Sequence, residues 1–347
     1  MKLILAPMAS LTHAALRMLI HRFADPDEYF TEMIHAPSLV AGGPFEQWYL
    51  RTQPVPEKIV WQLTSHESEA FVKAVPIVLD NGGMGIDLNM GCCAPAIVRS
   101  GAGFAWMLKP QQETAAMVQK VKKTIDSYCS SHSIAAPIRL SVKLRLGTTL
   151  DYARLLTFCR MLVAEGVRLI TIHPRLQRQS YSRPALHTYT AQLAADLPVP
   201  VYGNGDIDSP QKLQRIAAVY PCAGWMIGRA AVQKPWLFQQ LRQVEGLCTE
   251  ETCSRAPSAD TKIDMLETAS CFLTLLATEQ PEAFHRTRAQ RFFQFFCENF
   301  SFAHYCKTKV LRAETFAGIE AILAAYFQEV PQDRFVVSTR YSDSKTN

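Results

Sequence analysis

At 347 residues, 48% hydrophobic and 19% charged, the chain has ample apolar material for a sizeable core, and its length excludes a minimal scaffold. It fits one α/β barrel of about 250 residues plus a smaller domain better than two equal halves. The formal net charge of +5 and a pI near 8.6 permit a polyanionic partner without demanding one. The opening apolar run Leu3-Ile4-Leu5-Ala6 is broken at Pro7, too early for a signal peptide or a membrane span, so the expectation is a soluble cytoplasmic protein with no membrane association. Ten cysteines without a CxxC pair or regular spacing argue against a disulfide framework and against zinc. They read as reduced, buried fillers, and no metal site is expected.

Short β-rich apolar runs recur in chain order and predict strands at 2–8, 29–33, 58–63, 84–89, 138–144, 169–173, 199–203 and 224–227. Helical patterns lie between them, clearest at 111–127, 151–165 and 210–219. The first opens after Pro110 and sets Ala115, Met117, Val118 and Val121 on one face. Strand–helix alternation of about eight units predicts an α/β fold, a (β/α)8 TIM barrel, over 1–245. Composition then shifts to Gly, Ser, Thr, Asp, Glu and Pro, which predicts a linker at 246–261. The pattern that follows, with Leu266, Phe272, Leu276, Phe292, Phe296, Ile319 and Leu323, predicts a small C-terminal helical bundle domain over 262–340 and a disordered tail at 341–347.

Parallel strands are buried on both faces and should be apolar inside. Here nearly every one finishes on a polar or backbone-exposing group: Pro7-Met8-Ala9, Glu32, Gln62, Asn89, Lys143, His173, Asn204-Gly205-Asp206 and Gly228-Arg229. In a barrel those ends converge on the face that carries the site. The last two groups suit a phosphate, with glycines for close backbone approach and the Arg229 fork for oxygens. Lys143, among apolar neighbours, is expensive to bury and reads as a Schiff-base lysine, a cation beside an electron-rich ring, or a solvated strand end. Gln62 offers a donor and an acceptor to a heterocycle edge, or is a satisfied core residue. After Asn89, the loop Gly91-Cys92-Cys93-Ala94-Pro95 presents a thiol that can donate a proton to carbon, act as a nucleophile, or lie inert.

Leu5-Ala6-Pro7-Met8, Thr31-Glu32-Met33, Gln62-Leu63, the segment 87–95, Val142-Lys143-Leu144-Arg145-Leu146-Gly147, 171–175, 203–207 and Met226-Ile227-Gly228-Arg229 stand in the order seen in tRNA dihydrouridine synthases, which the chain resembles across residues 1–240. The resemblance implies bound FMN, held by Pro7, Met8, Ala9, Gln62, Lys143, His173, Asn204, Gly205, Asp206, Gly228 and Arg229. It implies NADPH as reductant, hydride transfer to C6 of a tRNA uridine, and Cys92 as the acid that protonates C5. Asn89, Arg145 and Arg175 are expected to meet the substrate. Cys93 stands where a proline is usual in the family, Ser10 where a glycine is commoner, and Pro174 where a glycine is usual.

For the tRNA, the candidates are Arg286, Arg288 and Arg291, with Lys307, Lys309 and Arg312, around a Phe-rich helix in which Glu298 is the only acid between His285 and Arg312. Phe292, Phe293, Phe295 and Phe296 crowd too closely to be exposed together and are expected in the core. The short lead before Leu5 and the helical C-terminal domain lean toward the sixteenth position of the D-loop, and the protein is expected to be a monomer. Other readings of the same residues are a barrel reductase of a small molecule, a tRNA-binding homologue without catalysis, and a Schiff-base lyase using Lys143.

Overall fold

The computed structural model describes residues 1–243 and 262–337, so the expected linker and tail lie outside the described residues. Eight parallel strands close into a barrel with helices between them. They are β1 (Lys2–Leu5), β2 (Glu28–Phe30), β4 (Ile59–Thr64), β5 (Gly85–Met90), β6 (Arg139–Arg145), β7 (Leu169–His173), β8 (Val201–Asn204) and β9 (Gly224–Ile227), and the ring closes where β2 pairs with β4 through Tyr29↔Ile59 and Phe30↔Val60. The short β3 (Ile34–His35) adds to the far end of β4 through Ile34↔Leu63.

The expected strand at 29–33 therefore ends at Phe30, and β3 begins beyond its expected end. At the break the Gln62 amide donates to the Thr31 hydroxyl rather than to backbone (3.1 Å), so a side chain replaces one rung of the ladder. The expected run 2–8 ends at Leu5, which leaves Pro7, Met8 and Ala9 in a loop. The helix predicted at 111–127 runs to Ser131, burying Met117, Val118, Val121 and Ile125. Asp151 caps the helix Tyr152–Ala164 by accepting from the Arg154 amide (2.9 Å).

Packing divides the described residues into two compact units. The first is Met1–Met8, Asp27–Asp206 and Arg215–Met226; the second takes Ala9–Pro26, Ile207–Gln214 and the residues from Ile227 on. The first is built on the inner cluster Ile4, Ala6, Phe30, Val60, Leu169, Tyr202 and Met226. At the N-terminal end of its strands, the Glu28 carboxylate is fully buried. It accepts a fork from Arg139 (2.8 and 2.5 Å) and a bond from the Tyr202 hydroxyl (2.9 Å). Burial works against the charge on Glu28, but the Arg139 bonds outweigh it and hold the carboxyl below its usual range.

In the second unit the helix Ala14–His21 packs on Met265–Glu279, which is followed by Glu282–Phe296, Ala303–Arg312 and Phe316–Glu329. Its core is a run of rings: Phe272 stacks on Phe292 (3.8 Å), Phe292 on Phe296 (5.0 Å), and Phe296 meets Phe300 edge-on (5.8 Å). Phe292, Phe293 and Phe296 are buried as the sequence predicts, and Phe295 is half-buried. A short antiparallel pair, Lys262–Asp264 with Phe335–Val337, was not anticipated. Eight described cysteines are unpaired, but only Cys159, Cys297 and Cys306 are buried; the rest are partly exposed rather than core fillers. Among the described residues no helix is long and apolar enough to cross a membrane.

Because the folded pKa of Glu28 is depressed, its contribution is present above the unfolded value of about 4.3 and is lost as pH falls through the folded value. Arg139→Met, which strands that carboxylate, should cost about 3–5 kcal/mol in urea denaturation at pH 7. The deficit should shrink as the pH is lowered toward 4; a loss below about 1 kcal/mol at pH 7 would contradict the assignment.

Candidate active site

Residues paired across a parallel ladder point to the same face, so register decides which side chains share the barrel interior. Val60 lies in the inner cluster, hence Gln62 two residues on also faces inward. The pairs Gln62↔Asp87, Asp87↔Ser141, Asn89↔Lys143, Lys143↔Thr171 and Arg145↔His173 carry that face around three more strands. Thr171↔Tyr202 and Asn204↔Met226 extend it to β8 and β9. Gln62, Asn89, Lys143, Arg145, His173 and Asn204 thus gather at the C-terminal end of the barrel, as the sequence suggested.

A chain of side-chain bonds runs from the interior to the cysteine loop. Gln62 Nε2 donates to Asp87 Oδ2 (2.8 Å), and Ser141 Oγ donates to Asp87 Oδ1 (2.7 Å). Asn89 Nδ2 donates to Gln62 Oε1 (2.9 Å), while Asn89 Oδ1 accepts from the amides of Gly91 (3.2 Å) and Cys92 (2.9 Å). Burial pushes the Asp87 carboxyl up to about 6 against the pull of the Gln62 and Ser141 bonds. Opposite the loop, Gly103 sits at φ +59°, where a Cβ would come within 2.8 Å of the Cys92 carbonyl. That carbonyl accepts from the Phe104 amide (3.0 Å). The Cys92 thiol is partly exposed. Cys93 is also partly exposed and points back at the Gly91 carbonyl (3.5 Å), and burial raises its pKa.

Lys143 is half-buried at the mouth and has no hydrogen-bond or ion-pair partner among the described residues. Burial and then the Arg145 guanidinium bring its pKa down to about 8. His173 is held neutral, far below its ordinary value, first by burial and then by Lys143, Arg145 and Arg175. Arg175 Nη1 donates to His173 Nε2 (2.7 Å), which fixes that nitrogen as the acceptor. The rest of the Arg175 guanidinium is taken by the Arg183 carbonyl (2.8 and 2.6 Å), the Tyr181 carbonyl and the Asp206 carboxylate. At 1% exposure it does not present itself to a substrate, contrary to expectation; it braces His173 and the loop 176–185.

Asp206, at φ +62°, is likewise committed, accepting from Arg175 and from the Ala185 amide (2.6 Å). Tyr181, which sequence reasoning missed, is 52% exposed, stacks on His173 (5.7 Å) and lies beside Arg145, whose Nη2 donates to its hydroxyl (3.1 Å). An aromatic flanked by serines in a polar loop carries no signal that would have singled it out.

The remaining candidates are placed as follows. Pro7 and Met8 are partly exposed, Ala9 is exposed, and Ser10 adopts φ +62°, the left-handed region that glycine enters most easily. Asn204 Nδ2 donates to the Met226 carbonyl (2.8 Å). Gly205, at φ +121°, is crowded by His173, Arg175 and Ala185, each 3.2 Å from where a Cβ would stand. Gly228 precedes the five-residue helix Arg229–Gln233, and Arg229 is exposed. In the second unit Arg286 and Arg291 are exposed, but Arg288 is 3% exposed with its guanidinium over the Phe284 ring (4.9 Å), and so is withdrawn from the basic surface proposed for it.

A family model described as dihydrouridine synthase (Dus) matches residues 4–317. The chain belongs to the dihydrouridine synthase family. A probable tRNA-dihydrouridine synthase of Aquifex aeolicus is 32% identical over 245 residues, covering 70% of this synthase and 73% of the relative. A tRNA-dihydrouridine(16) synthase of Cupriavidus necator is 28% identical over 256 residues, covering 70% and 73%. Among solved structures, a 2-naphthoyl-CoA reductase complex superposes with TM-score 0.51 at 11% identity, covering 74% of the synthase and 50% of that chain. Histamine dehydrogenase from Rhizobium sp. 4-9 gives TM-score 0.51 at 13% identity, covering 79% and 49%. At those identities the likeness is one of fold.

Lys143 of the synthase carries a charge that the folded protein does not neutralise. Its folded pKa of about 8 lies below the unfolded value of about 10.4, so the charge costs stability at pH 7 and the cost disappears as pH rises between those values. Lys143→Met is therefore expected to raise the urea midpoint of the ligand-free protein at pH 7, with the gain narrowing toward pH 10. A lowered midpoint at pH 7 would show that Lys143 is paired after all.

Proposed function

We propose that this synthase reduces a uridine of the tRNA D-loop to 5,6-dihydrouridine, with FMN bound at the barrel mouth, NADPH as reductant and Cys92 as general acid. The observation that carries the reading is Lys143: an ammonium facing the interior beside Arg145, with no hydrogen-bond or ion-pair partner among the described residues. Such a site fits a ligand that brings electron density of its own, and an isoalloxazine edge has that character. Gln62 and Asn204 offer amide groups to the same ligand, and the crowded, Cβ-free backbone at Gly205 suits close approach of a phosphate-bearing chain. Gly228 and Arg229 are assigned to that phosphate from the family resemblance.

FMN, when bound at the mouth and reduced by NADPH, would supply the hydride for C6 of the uracil. The chain supplies everything else. Cys92 donates its proton to C5, so that one hydride and one proton saturate the C5–C6 bond, and the partly exposed thiolate is reprotonated from solvent. Asn89 holds the Cys92 loop through two amides and thus fixes where that proton is offered. The Arg145 guanidinium, steadied by Tyr181 and by the Leu176 carbonyl (3.2 Å), gives a cationic donor for uracil oxygens. The neutral His173 donates rather than repels, because Arg175 occupies its Nε2 and leaves the proton on Nδ1.

A uridine must leave its stack to reach such a mouth. In the second unit the exposed Arg286, Arg291, Lys309 and Arg312 are suited to an RNA phosphate backbone. The two assignments made to Arg175 and Asp206 change under this proposal: both position His173 and its loop.

Purified enzyme incubated with FMN, NADPH and unmodified tRNA should produce dihydrouridine in the D-loop, detected by mass spectrometry. Cys92→Ala should lower the rate by about 10²–10⁴-fold, the contribution expected of a positioned acid, while Cys93→Ala retains most activity. Full activity in Cys92→Ala would move the acid elsewhere.

A further inference from the structure

We propose that Asp87 is a positioning residue for the cysteine loop, acting through the side-chain amides of Gln62 and Asn89. The inference rests on the reading that Cys92 is the proton donor, and it deepens that reading by one residue that does not touch the substrate.

The argument is one of donor and acceptor bookkeeping. A carboxylate can only accept, so Asp87 Oδ2 requires Gln62 to turn its NH2 inward (2.8 Å). That leaves Gln62 Oε1 facing Asn89, which must answer with Nδ2 (2.9 Å). Asn89 then has only its oxygen to offer the loop, where the backbone amides of Gly91 and Cys92 can only donate (3.2 and 2.9 Å). With an obligate acceptor at one end and obligate donors at the other, one orientation of the two amides satisfies every bond. An amide flip at either position would set donor against donor or oxygen against oxygen.

The cost of Asp87 points the same way. It is fully buried and has no ion-pair partner among the described residues. Its remaining oxygen is met only by the Ser141 hydroxyl (2.7 Å). An apolar residue would pack this layer more cheaply, because an unpaired buried carboxylate is disfavoured even when hydrogen-bonded. What no apolar residue supplies is the acceptor that polarises the relay.

The test needs neither tRNA nor flavin: carbamidomethylation of Cys92 by iodoacetamide in the full-length chain, with Cys93 resolved by fragment-ion mass spectrometry. Asp87→Leu should speed Cys92 alkylation by about tenfold, the effect expected when a loop loses a buried hydrogen-bonded anchor. Asp87→Asn, which keeps an acceptor for Gln62, should stay within about twofold, as should Ser141→Ala, which leaves Oδ2 in place. Since the effect passes through Asn89, the double variant Asp87→Leu/Asn89→Ala should alkylate no faster than Asn89→Ala alone. A folded Asp87→Leu protein with unchanged Cys92 reactivity, or additive effects in the double variant, would overturn the proposal. If Asp87→Leu does not fold, Gln62→Met severs the next link and must give the same rise; no rise there overturns the proposal equally. A failure to make dihydrouridine would leave these rates untouched, so the two claims fail separately.

Discussion

The register of a closed parallel ladder is the constraint on which the site depends. Because side chains alternate with a period of two, a one-residue slip of β6 against β5 would turn Lys143 outward and bring Val142 into the ring. The apolar cluster of Ile4, Phe30, Val60, Leu169 and Met226 pins that register by burying one set of side chains and no other. Everything polar at the mouth inherits its position from this packing. The mouth residues are then joined laterally, Asp87 to Gln62 to Asn89 on one side and Arg175 to His173 and Asp206 on the other. Two braced sectors flank a lysine that is not braced at all.

The two ends of the barrel handle charge in opposite ways. At the N-terminal end, Glu28 and Arg139 neutralise each other in a bidentate pair closed by Tyr202, an arrangement that serves stability. At the C-terminal end, Lys143, Arg145 and Arg175 crowd together; among the described residues the only acid they bond is Asp206, and Asp87 acts on Lys143 without a direct bond. A surplus of positive charge inside a protein is unfavourable by itself, and under the proposed function an electron-rich ligand offsets it.

Much of this was legible in the residues. The strands at 169–173 and 224–227 coincide with β7 and β9 at both ends, because each apolar run is bounded by a polar or glycine residue that also ends the pairing. Polar strand ends located the mouth, and the order of the motifs located the family. What escaped notice depended on distance in sequence. Arg175 and Asp206 are 31 residues apart, and neither spacing nor composition reveals that they consume each other. Arg288 could have been placed inside, since it falls four residues before the buried Phe292 and eight before Phe296 on one helical face. Asp87 carries no legible role within the segment 87–95, because its meaning lies in which neighbours it accepts from.

If a cation at the mouth of this synthase awaits a flavin, the visible spectrum of the purified chain is the most direct measurement of it. The account predicts that the protein retains FMN at about one equivalent per chain, with absorbance that bleaches on anaerobic addition of NADPH, and that Lys143→Met retains less. A wild-type protein that folds but neither carries nor takes up FMN would contradict it.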